Sequence, residues 1–149
     1  GGILIGTVLD YEDMFPKSKV LFVTHCTGPG PKAKRAGTYF DRDVIYCSKL
    51  VASYHKVTKG ILNYVGEWHT HPSQSVKPSS LDDNSLQRVT RELGYKLETP
   101  LSIIQSNISE NISYTIYFKN GKYTDNPIIS DSQSFSPQLR FKLPKDMER

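Results

Sequence analysis

The alternation of apolar and polar positions predicts a chain that is rich in β-strands. Five segments carry runs of β-branched and apolar residues between turn residues. We therefore predict strands over residues 2–9, 19–26, 61–68, 101–105 and 112–118. Asn120 followed by Gly121 is typical of a tight hairpin turn, which predicts a last short strand near Tyr123.

Two further segments have the apolar spacing that is typical of helices. Asp41 fits the N-cap of a first helix that runs to about Thr58 and is ended by Gly60. The face that we predict to be buried on this helix consists of Val44, Cys47, Val51 and His55. A second helix is predicted over residues 79–93, just before Gly94. Because strands and helices are mixed along the chain, the predicted fold class is α/β, with a mixed β-sheet flanked by helices.

The pattern changes near residue 125. The 149 residues suffice for one domain with a tail, and residues 1–125 carry all the predicted elements. Residues 126–149 are polar with a basic end, and we expect this tail to dock loosely or to be disordered. Its apolar side chains leave room for contact with a partner: Phe135, Leu139, Phe141 and Leu143.

Composition and charge narrow the class of protein. Hydrophobic residues make up 37% and charged residues 23%, which is ordinary globular usage and excludes wholesale disorder. The net charge of +4 is mild, and a solvated loop with scattered lysines explains most of it. Nucleic-acid binding is therefore not predicted, and we favour a basic rim that meets an acidic protein. The cations of this rim are Lys17, Lys19, Lys32, Lys34 and Arg35.

The apolar runs do not predict a membrane protein, because they are far below the roughly 20 residues that a spanning helix needs. No basic stretch precedes the first apolar segment, so a secretory signal is not expected. Cys26 and Cys47 form no CxxC pair, and we interpret them as buried free thiols of a reducing compartment. We therefore expect a cytoplasmic protein.

One group of residues indicates chemistry, namely His69, His71 and Pro72, followed by Ser79 and Asp82. The segment that reaches His69 is predicted to be a strand, and residues i and i+2 of a strand point the same way. The two imidazoles therefore face one point. Because Pro72 cannot donate to a sheet ladder, we expect the strand to end there, with both histidines at an edge that substrate reaches.

A third metal ligand must come from elsewhere, and Asp82 in the first turn of the next helix is the natural candidate. Two histidines and one carboxylate, with a fourth position open, are a recurring set in catalytic zinc sites. Structural zinc sites normally use four protein ligands, and the spacing of Cys26 and Cys47 does not suggest such a site. His25 and His55 have no comparable neighbours, so we interpret them as core or surface histidines.

Ser79 has two interpretations. It lies three residues before Asp82, so its hydroxyl can sit beside the metal and donate to a developing oxyanion. It is also a typical N-cap with acidic residues in the first helical turn after it, and then its role is structural. Hydrolysis of an amide would further require a general base near the metal.

These spacings resemble the JAMM motif of the JAB/MPN-domain metalloproteases. His69, one residue and His71 with Pro72 are followed by Ser79, with seven residues between His71 and Ser79, and then by two residues and Asp82. Further segments resemble the prokaryotic branch, and together the resemblance covers about residues 1–125. These segments are residues 1–6, the loop at 27–31, Phe40 with Asp43, and residues 66–72.

The resemblance implies a cytidine-deaminase-like fold and a zinc-dependent peptidase that cuts isopeptide or peptide bonds after ubiquitin or ubiquitin-like proteins. It implies that His69, His71 and Asp82 hold one Zn²⁺ per chain and that Ser79 supports the oxyanion. Within the branch, the chain is most similar to proteases of mobile elements and of CBASS-type anti-phage operons. There the expected partners are E1/E2-like ligases and the conjugated carboxyl terminus of a cyclase.

The general base of this family is a glutamate that lies just before the Gly-Gly pair. The chain begins at that pair, Gly1 and Gly2, so we expect the base just upstream of Gly1 and the domain to be cut there. Glu67 shares the strand parity of the two histidines and is a weak alternative, whereas Glu12 and Asp13 resemble turn residues. Without a base the chain would bind zinc and substrate yet cleave poorly.

The alternative function is a non-catalytic scaffold, since some JAB/MPN relatives lack the metal ligands and serve as interaction modules. The three intact ligands argue against this alternative, because a scaffold has no need of them.

Overall fold

The computed structural model describes residues 1–11, 18–36 and 39–125, and the statements below concern these ranges. The chain there forms eight strands and two α-helices. The strands are β1 (Gly2–Tyr11), β2 (Ser18–Cys26), β3 (Lys34–Ala36), β4 (Tyr39–Asp41), β5 (Asn63–His71), β6 (Leu101–Ser106), β7 (Ile112–Phe118) and β8 (Gly121–Asp125). The helices are α1 (Val44–Val57) and α2 (Ser80–Val89), and a short 3₁₀ turn covers Leu93–Tyr95.

Six strands form one sheet in the order β2-β1-β5-β6-β7-β8. Strands β5 and β6 are parallel, and every other neighbouring pair in this sheet is antiparallel. A parallel pair needs a crossover connection, and α2 lies in it. The predicted α/β class with a mixed sheet is thereby confirmed. Strands β3 and β4 form a separate two-stranded hairpin.

The core consists of apolar clusters that join each helix to the sheet. Helix α1 contributes Cys47 and Tyr54, which pack with Ile3, Ile5 and other residues of the sheet region. Helix α2 contributes Leu86 and Val89, which pack against Tyr117 of β7. Tyr64 of β5 packs against both clusters. A third cluster consists of Leu4, Val65 and Leu101. Leu4 lies on β1 between Ile3 and Ile5, which belong to the first cluster. Because successive residues of β1 pack into different clusters, the strand is buried on both faces. This explains its continuous apolar run.

The prediction that Asp41 caps the first helix was wrong. Asp41 belongs to β4, where it lies opposite Lys34, and the N-cap is Asp43, whose side chain accepts from Tyr46 N. The buried face of the helix also differs from the predicted one. Val44 is 61% exposed and His55 is exposed, and the buried positions are Cys47, Leu50 and Tyr54.

Smaller differences concern the ends of elements. Helix α2 ends at Val89, four residues earlier than predicted, and β5 begins at Asn63 rather than at residue 61. The hairpin of β3 and β4 was not predicted, because each strand has only three residues and β3 is exposed throughout. The predicted end of β5 before Pro72 is confirmed.

Several sequence predictions lie outside the described residues. They are the tail over 126–149, the candidate turn residues Glu12 and Asp13, and the cation Lys17. Within the described part of the chain, no helix is long and apolar enough to cross a membrane.

Candidate metal centre

The two histidines of the motif are brought together by the last residues of β5. His69 and His71 are separated by one residue, and their Nε2 atoms lie 3.1 Å apart. The strand is held in the middle of the sheet by antiparallel β1 on one side and parallel β6 on the other. Its position fixes the backbone of both histidines, so their convergence follows from the two-residue period of a strand.

The first turn of α2 brings the third ligand to the same place. Asp82 Oδ1 lies 3.4 Å from His69 Nε2, and Asp82 Oδ2 lies 3.8 Å from His71 Nε2. One ligand atom from each residue falls within 4.8 Å of the others. In the described ranges no other group of three or more histidine, cysteine and acidic residues comes together in this way.

The donor set fits a divalent metal. His71 Nδ1 lies 3.0 Å from the carbonyl oxygen of Ser75, which is the acceptor that an Nδ1–H needs. That tautomer leaves the lone pair of Nε2 free, as metal ligation requires. Burial lowers the pKa of His69, although Asp82 acts in the opposite direction, and the neutral imidazole is the ligating form. Two imidazole nitrogens and one carboxylate oxygen match the ligands that zinc prefers.

Ser79 is the N-cap of α2, as one of its two interpretations predicted. As the N-cap of α2 it accepts a hydrogen bond from Asp82 N at 3.2 Å, and its own N donates to Asp82 Oδ2 at 2.7 Å. This is a capping box with aspartate in place of the usual glutamate or glutamine. The Ser79 hydroxyl also donates to Asp82 Oδ2 at 2.6 Å and is exposed. The cap therefore places the hydroxyl directly beside the candidate metal ligand.

Helix α2 is anchored to the sheet next to this ligand. Asp83 Oδ1 accepts from Tyr117 OH at 2.8 Å, and Asp83 Oδ2 accepts from Lys122 Nζ at 2.7 Å. Ser113 of β7 donates to the carbonyl of Val76 at 2.5 Å, in the segment that leads to α2. Strand β7 thus buries its polar face, where the Tyr117 hydroxyl holds α2 and the Ser113 hydroxyl holds the segment before it.

Glu67 lies on β5 two residues before His69, and it is bound by two side chains. It forms an ion pair with Arg42, and its Oε1 accepts from Tyr64 OH at 3.0 Å. Burial raises the pKa of Tyr64 well above its usual range, so this hydroxyl stays a neutral donor. Arg42 was not predicted from the sequence. The strand parity of Glu67 with the metal ligands was the only signal that pointed to this cluster.

The loop over residues 27–31 is fixed against the same strand. Trp68 Nε1 donates to the carbonyl oxygen of Thr27 at 2.9 Å. A Cβ on Gly2 would lie 2.0 Å from that same oxygen, so this glycine allows the loop to approach β1. Asp43 holds the other end, where its N donates to the Pro29 carbonyl at 2.8 Å and its side chain accepts from Lys32 N at 3.2 Å.

The remaining histidines and cysteines lie apart from the metal ligands. His25 packs on Tyr54 with ring centroids 4.6 Å apart, and His55 Nδ1 lies 2.6 Å from Asn63 Oδ1. Their interpretation as core or surface histidines is confirmed. Cys47 is a buried free thiol as predicted, whereas Cys26 is exposed, because β2 is an edge strand of the sheet.

Comparison with known proteins agrees with this geometry. The family model for prokaryotic homologs of the JAB domain matches residues 1–117. A CD-NTase/cGAS isopeptidase of Escherichia coli is 33% identical over 85 residues, which are 57% of this chain and 49% of that protein. One of the same name from Enterobacter hormaechei is 37% identical over 105 residues, 70% of this chain and 53% of that protein.

A probable metalloprotease of Sinorhizobium fredii is 27% identical over 107 residues, which are 71% of this chain and 63% of that protein. The chain thus spans about half to two thirds of the length of these curated relatives.

Proposed function

Because the chain belongs to the prokaryotic JAB family, we propose that it is a zinc-dependent isopeptidase that hydrolyses the bond after the carboxyl terminus of a conjugated protein. One observation carries the proposal. The side chains of His69, His71 and Asp82 converge at the end of β5, with a ligand atom from each within 4.8 Å of the others. A non-catalytic scaffold has no use for this arrangement.

His69, His71 and Asp82 would hold one zinc ion per chain, and the fourth position would be left to the reaction. When bound, zinc supplies a Lewis acid that polarises the scissile carbonyl and lowers the pKa of water at the site. The Ser79 hydroxyl, which donates to Asp82 Oδ2 at 2.6 Å, would exchange this bond for one to the oxyanion that develops on that carbonyl. Its exposure leaves it open to a substrate.

We assign the general base to a residue preceding Gly1. Gly2 lies opposite Trp68 in the antiparallel register of β1 and β5. Continued backwards, this register places the second residue before Gly1 opposite His71, and residues directly opposite each other share a face of the sheet. A glutamate there would face the metal. Glu67 is a poorer base, because its Oε1 is bound to Arg42 and Tyr64.

The names of two relatives, both CD-NTase/cGAS isopeptidases, support a substrate class for the proposal. We propose that this chain releases a cyclase, or a ubiquitin-like protein, that has been conjugated through its carboxyl terminus by an E1/E2-like ligase. On this proposal it acts in the cytoplasm, in a CBASS-type anti-phage system. Residues 1–125 would be the protease domain, and residues 126–149 a tail.

Metal content tests the proposal first. The zinc content of the purified chain is measured by mass spectrometry beside His71→Ala and a control, His55→Ala, which changes a histidine outside the ligand group. We expect about one zinc per chain in the wild type and the control, and almost none in His71→Ala. In a chain extended before Gly1 to include the proposed base, cleavage of a cyclase fused through its carboxyl terminus to a fluorescent protein should follow the zinc content.

Two results would contradict the proposal. No zinc in the wild type after zinc-replete expression would indicate a vestigial motif and favour the scaffold. Zinc-dependent cleavage that survives in His71→Ala would place the metal elsewhere.

A further inference from the structure

We propose that the ion pair of Arg42 and Glu67 is a positioning element that fixes the β3–β4 hairpin against the metal-bearing strand. The inference rests on the proposed function. It states that this pair sets the affinity of the enzyme for its protein substrate and leaves metal binding and the chemical step largely unchanged.

The hairpin is one wall of the groove that contains the metal ligands. Phe40 and Arg35 lie opposite each other on its two strands, and both line the same groove as His69. A Cβ built on Gly1 would lie 2.9 Å from Phe40 Cε1 and 2.9 Å from His69 Cβ. The Phe40 ring therefore lies beside the strand that carries the metal ligands.

This wall has little structure of its own to hold it in place. Strand β3 is exposed at all three residues and pairs with β4, and neither strand joins the six-stranded sheet. A two-stranded hairpin of this length is not stable by itself in water. Its position must therefore come from contacts with other parts of the chain.

Arg42 provides such a contact. It follows the last residue of β4 directly and precedes Asp43, the N-cap of α1. Its guanidinium pairs with Glu67, and the side chains are 23% and 14% exposed. The hydroxyl of Tyr64 donates to the same Oε1 of Glu67 at 3.0 Å. The end of the hairpin is thus attached to β5 two residues before His69.

A half-buried pair of this kind is better suited to fixing geometry than to adding stability. The cost of removing two charges from water offsets much of their attraction, whereas the directed hydrogen bonds allow only one arrangement. Neither Arg42 nor Glu67 belongs to the group of metal ligands. Loss of the pair should therefore change the hairpin and the groove, and not the zinc content.

The experiment compares Arg42→Gln, Glu67→Gln and the charge-swapped double variant Arg42→Glu/Glu67→Arg in a zinc-loaded chain that is extended before Gly1 to include the proposed base. The substrate is the cyclase fused through its carboxyl terminus to a fluorescent protein. We expect each single variant to raise KM about tenfold, to keep kcat within about threefold and to keep one zinc per chain. The double variant should recover most of the KM, because it restores an ion pair between the same positions.

The matched control is Arg91→Gln, which changes an exposed arginine that does not line the groove. It removes the same charge and should leave KM and kcat unchanged. If Arg42→Gln fails to fold, Arg42→Lys replaces it, since lysine keeps the charge but loses the fork of the guanidinium. Arg42→Lys should raise KM by about threefold to tenfold.

Three results would overturn the inference. They are a loss of kcat at unchanged KM, a loss of zinc in a folded single variant, and a folded double variant with no recovery of KM. Failure to cleave by a zinc-loaded chain that is extended before Gly1 and carries the proposed base would instead contradict the proposed function. In that case the dissociation constant of the fusion is measured by fluorescence anisotropy, and equal values for wild type and Arg42→Gln would reject the inference.

Discussion

A carboxylate takes part in the N-terminal cap of both helices, but the two carboxylates differ in what else they contact. At α1, Asp43 is nearly buried, and its two carboxylate oxygens accept from different backbone groups, Oδ1 from Tyr46 N and Oδ2 from Lys32 N. At α2, the cap is the exposed Ser79, and the carboxylate belongs to Asp82 in the first turn. The cap of α1 is therefore buried and bound to backbone groups, whereas the cap of α2 is exposed.

The difference lies in how the carboxylate oxygens are used. Asp82 Oδ2 accepts from the N and the hydroxyl of Ser79, while Asp82 Oδ1 faces His69 Nε2 at 3.4 Å. Asp82 therefore completes the cap with one oxygen and offers the other to a metal. Both oxygens of Asp43 accept from backbone N–H groups, and Asp43 lies outside the group of candidate metal ligands. A capping carboxylate becomes a functional group when part of its hydrogen-bonding capacity stays free.

The largest effect is expected when that free oxygen is removed. In Asp82→Asn the amide oxygen still accepts from Ser79 N, so the cap is largely kept, but the negative ligand is lost. We expect the zinc content to fall below about one tenth per chain and cleavage to disappear. The melting temperature of the metal-free variant should stay close to that of the metal-free wild type.

Asp83 provides the matched control, because its carboxylate is bound to Tyr117 and Lys122 and points away from the histidines. Asp83→Asn should keep one zinc per chain although it weakens the contact with Lys122. Zinc that is retained in Asp82→Asn, or lost in a folded Asp83→Asn, would contradict the division of roles between these neighbours.

A smaller effect is expected at Ser79, where the cap and the proposed oxyanion donor share one hydroxyl. Ser79→Ala should keep the metal and lower kcat by about 10²–10³ if the hydroxyl donates to the oxyanion. Ser79→Asn separates the two roles, because asparagine is a good N-cap but does not restore the hydroxyl. If kcat is equal in Ser79→Asn and the wild type, Ser79 acts only as the N-cap and does not donate to the oxyanion.

The parts of the site that could be predicted from sequence depend on short-range geometry. His69 and His71 converge because a strand repeats every two residues, and Ser79 and Asp82 meet because they lie in one helical turn. The sequence also predicted Pro72 as the end of β5. Each of these contacts spans few residues, so local pattern was sufficient.

The parts that could not be predicted depend on contacts between distant segments. Arg42 and Glu67 are 25 residues apart, and Trp68 reaches the Thr27 carbonyl across 41 residues. The buried side of β7 could not be predicted for another reason, because it carries the hydroxyl side chains of Ser113, Thr115 and Tyr117. Their hydroxyls find partners on neighbouring segments, as in the bond from Tyr117 to Asp83, and a count of apolar residues does not reveal that.

The smallest effect is expected at the N-terminus of α1, where the sequence favoured Asp41 as the cap and the structure has Asp43. Asp43→Ala removes the acceptors of Tyr46 N and Lys32 N, and should lower the free energy of unfolding by about 2 kcal/mol. Asp41→Ala changes the residue that the sequence favoured, which is exposed and lies in β4, and should cost less than about 0.5 kcal/mol.

Urea denaturation of both variants measures these costs, and zinc content is followed in parallel. Asp43→Ala should keep its zinc, because Asp43 lies outside the group of metal ligands. Equal costs for Asp41→Ala and Asp43→Ala would mean that the cap contributes no more than an ordinary surface residue. A folded Asp43→Ala without zinc would mean that the metal centre depends on the N-termini of both helices.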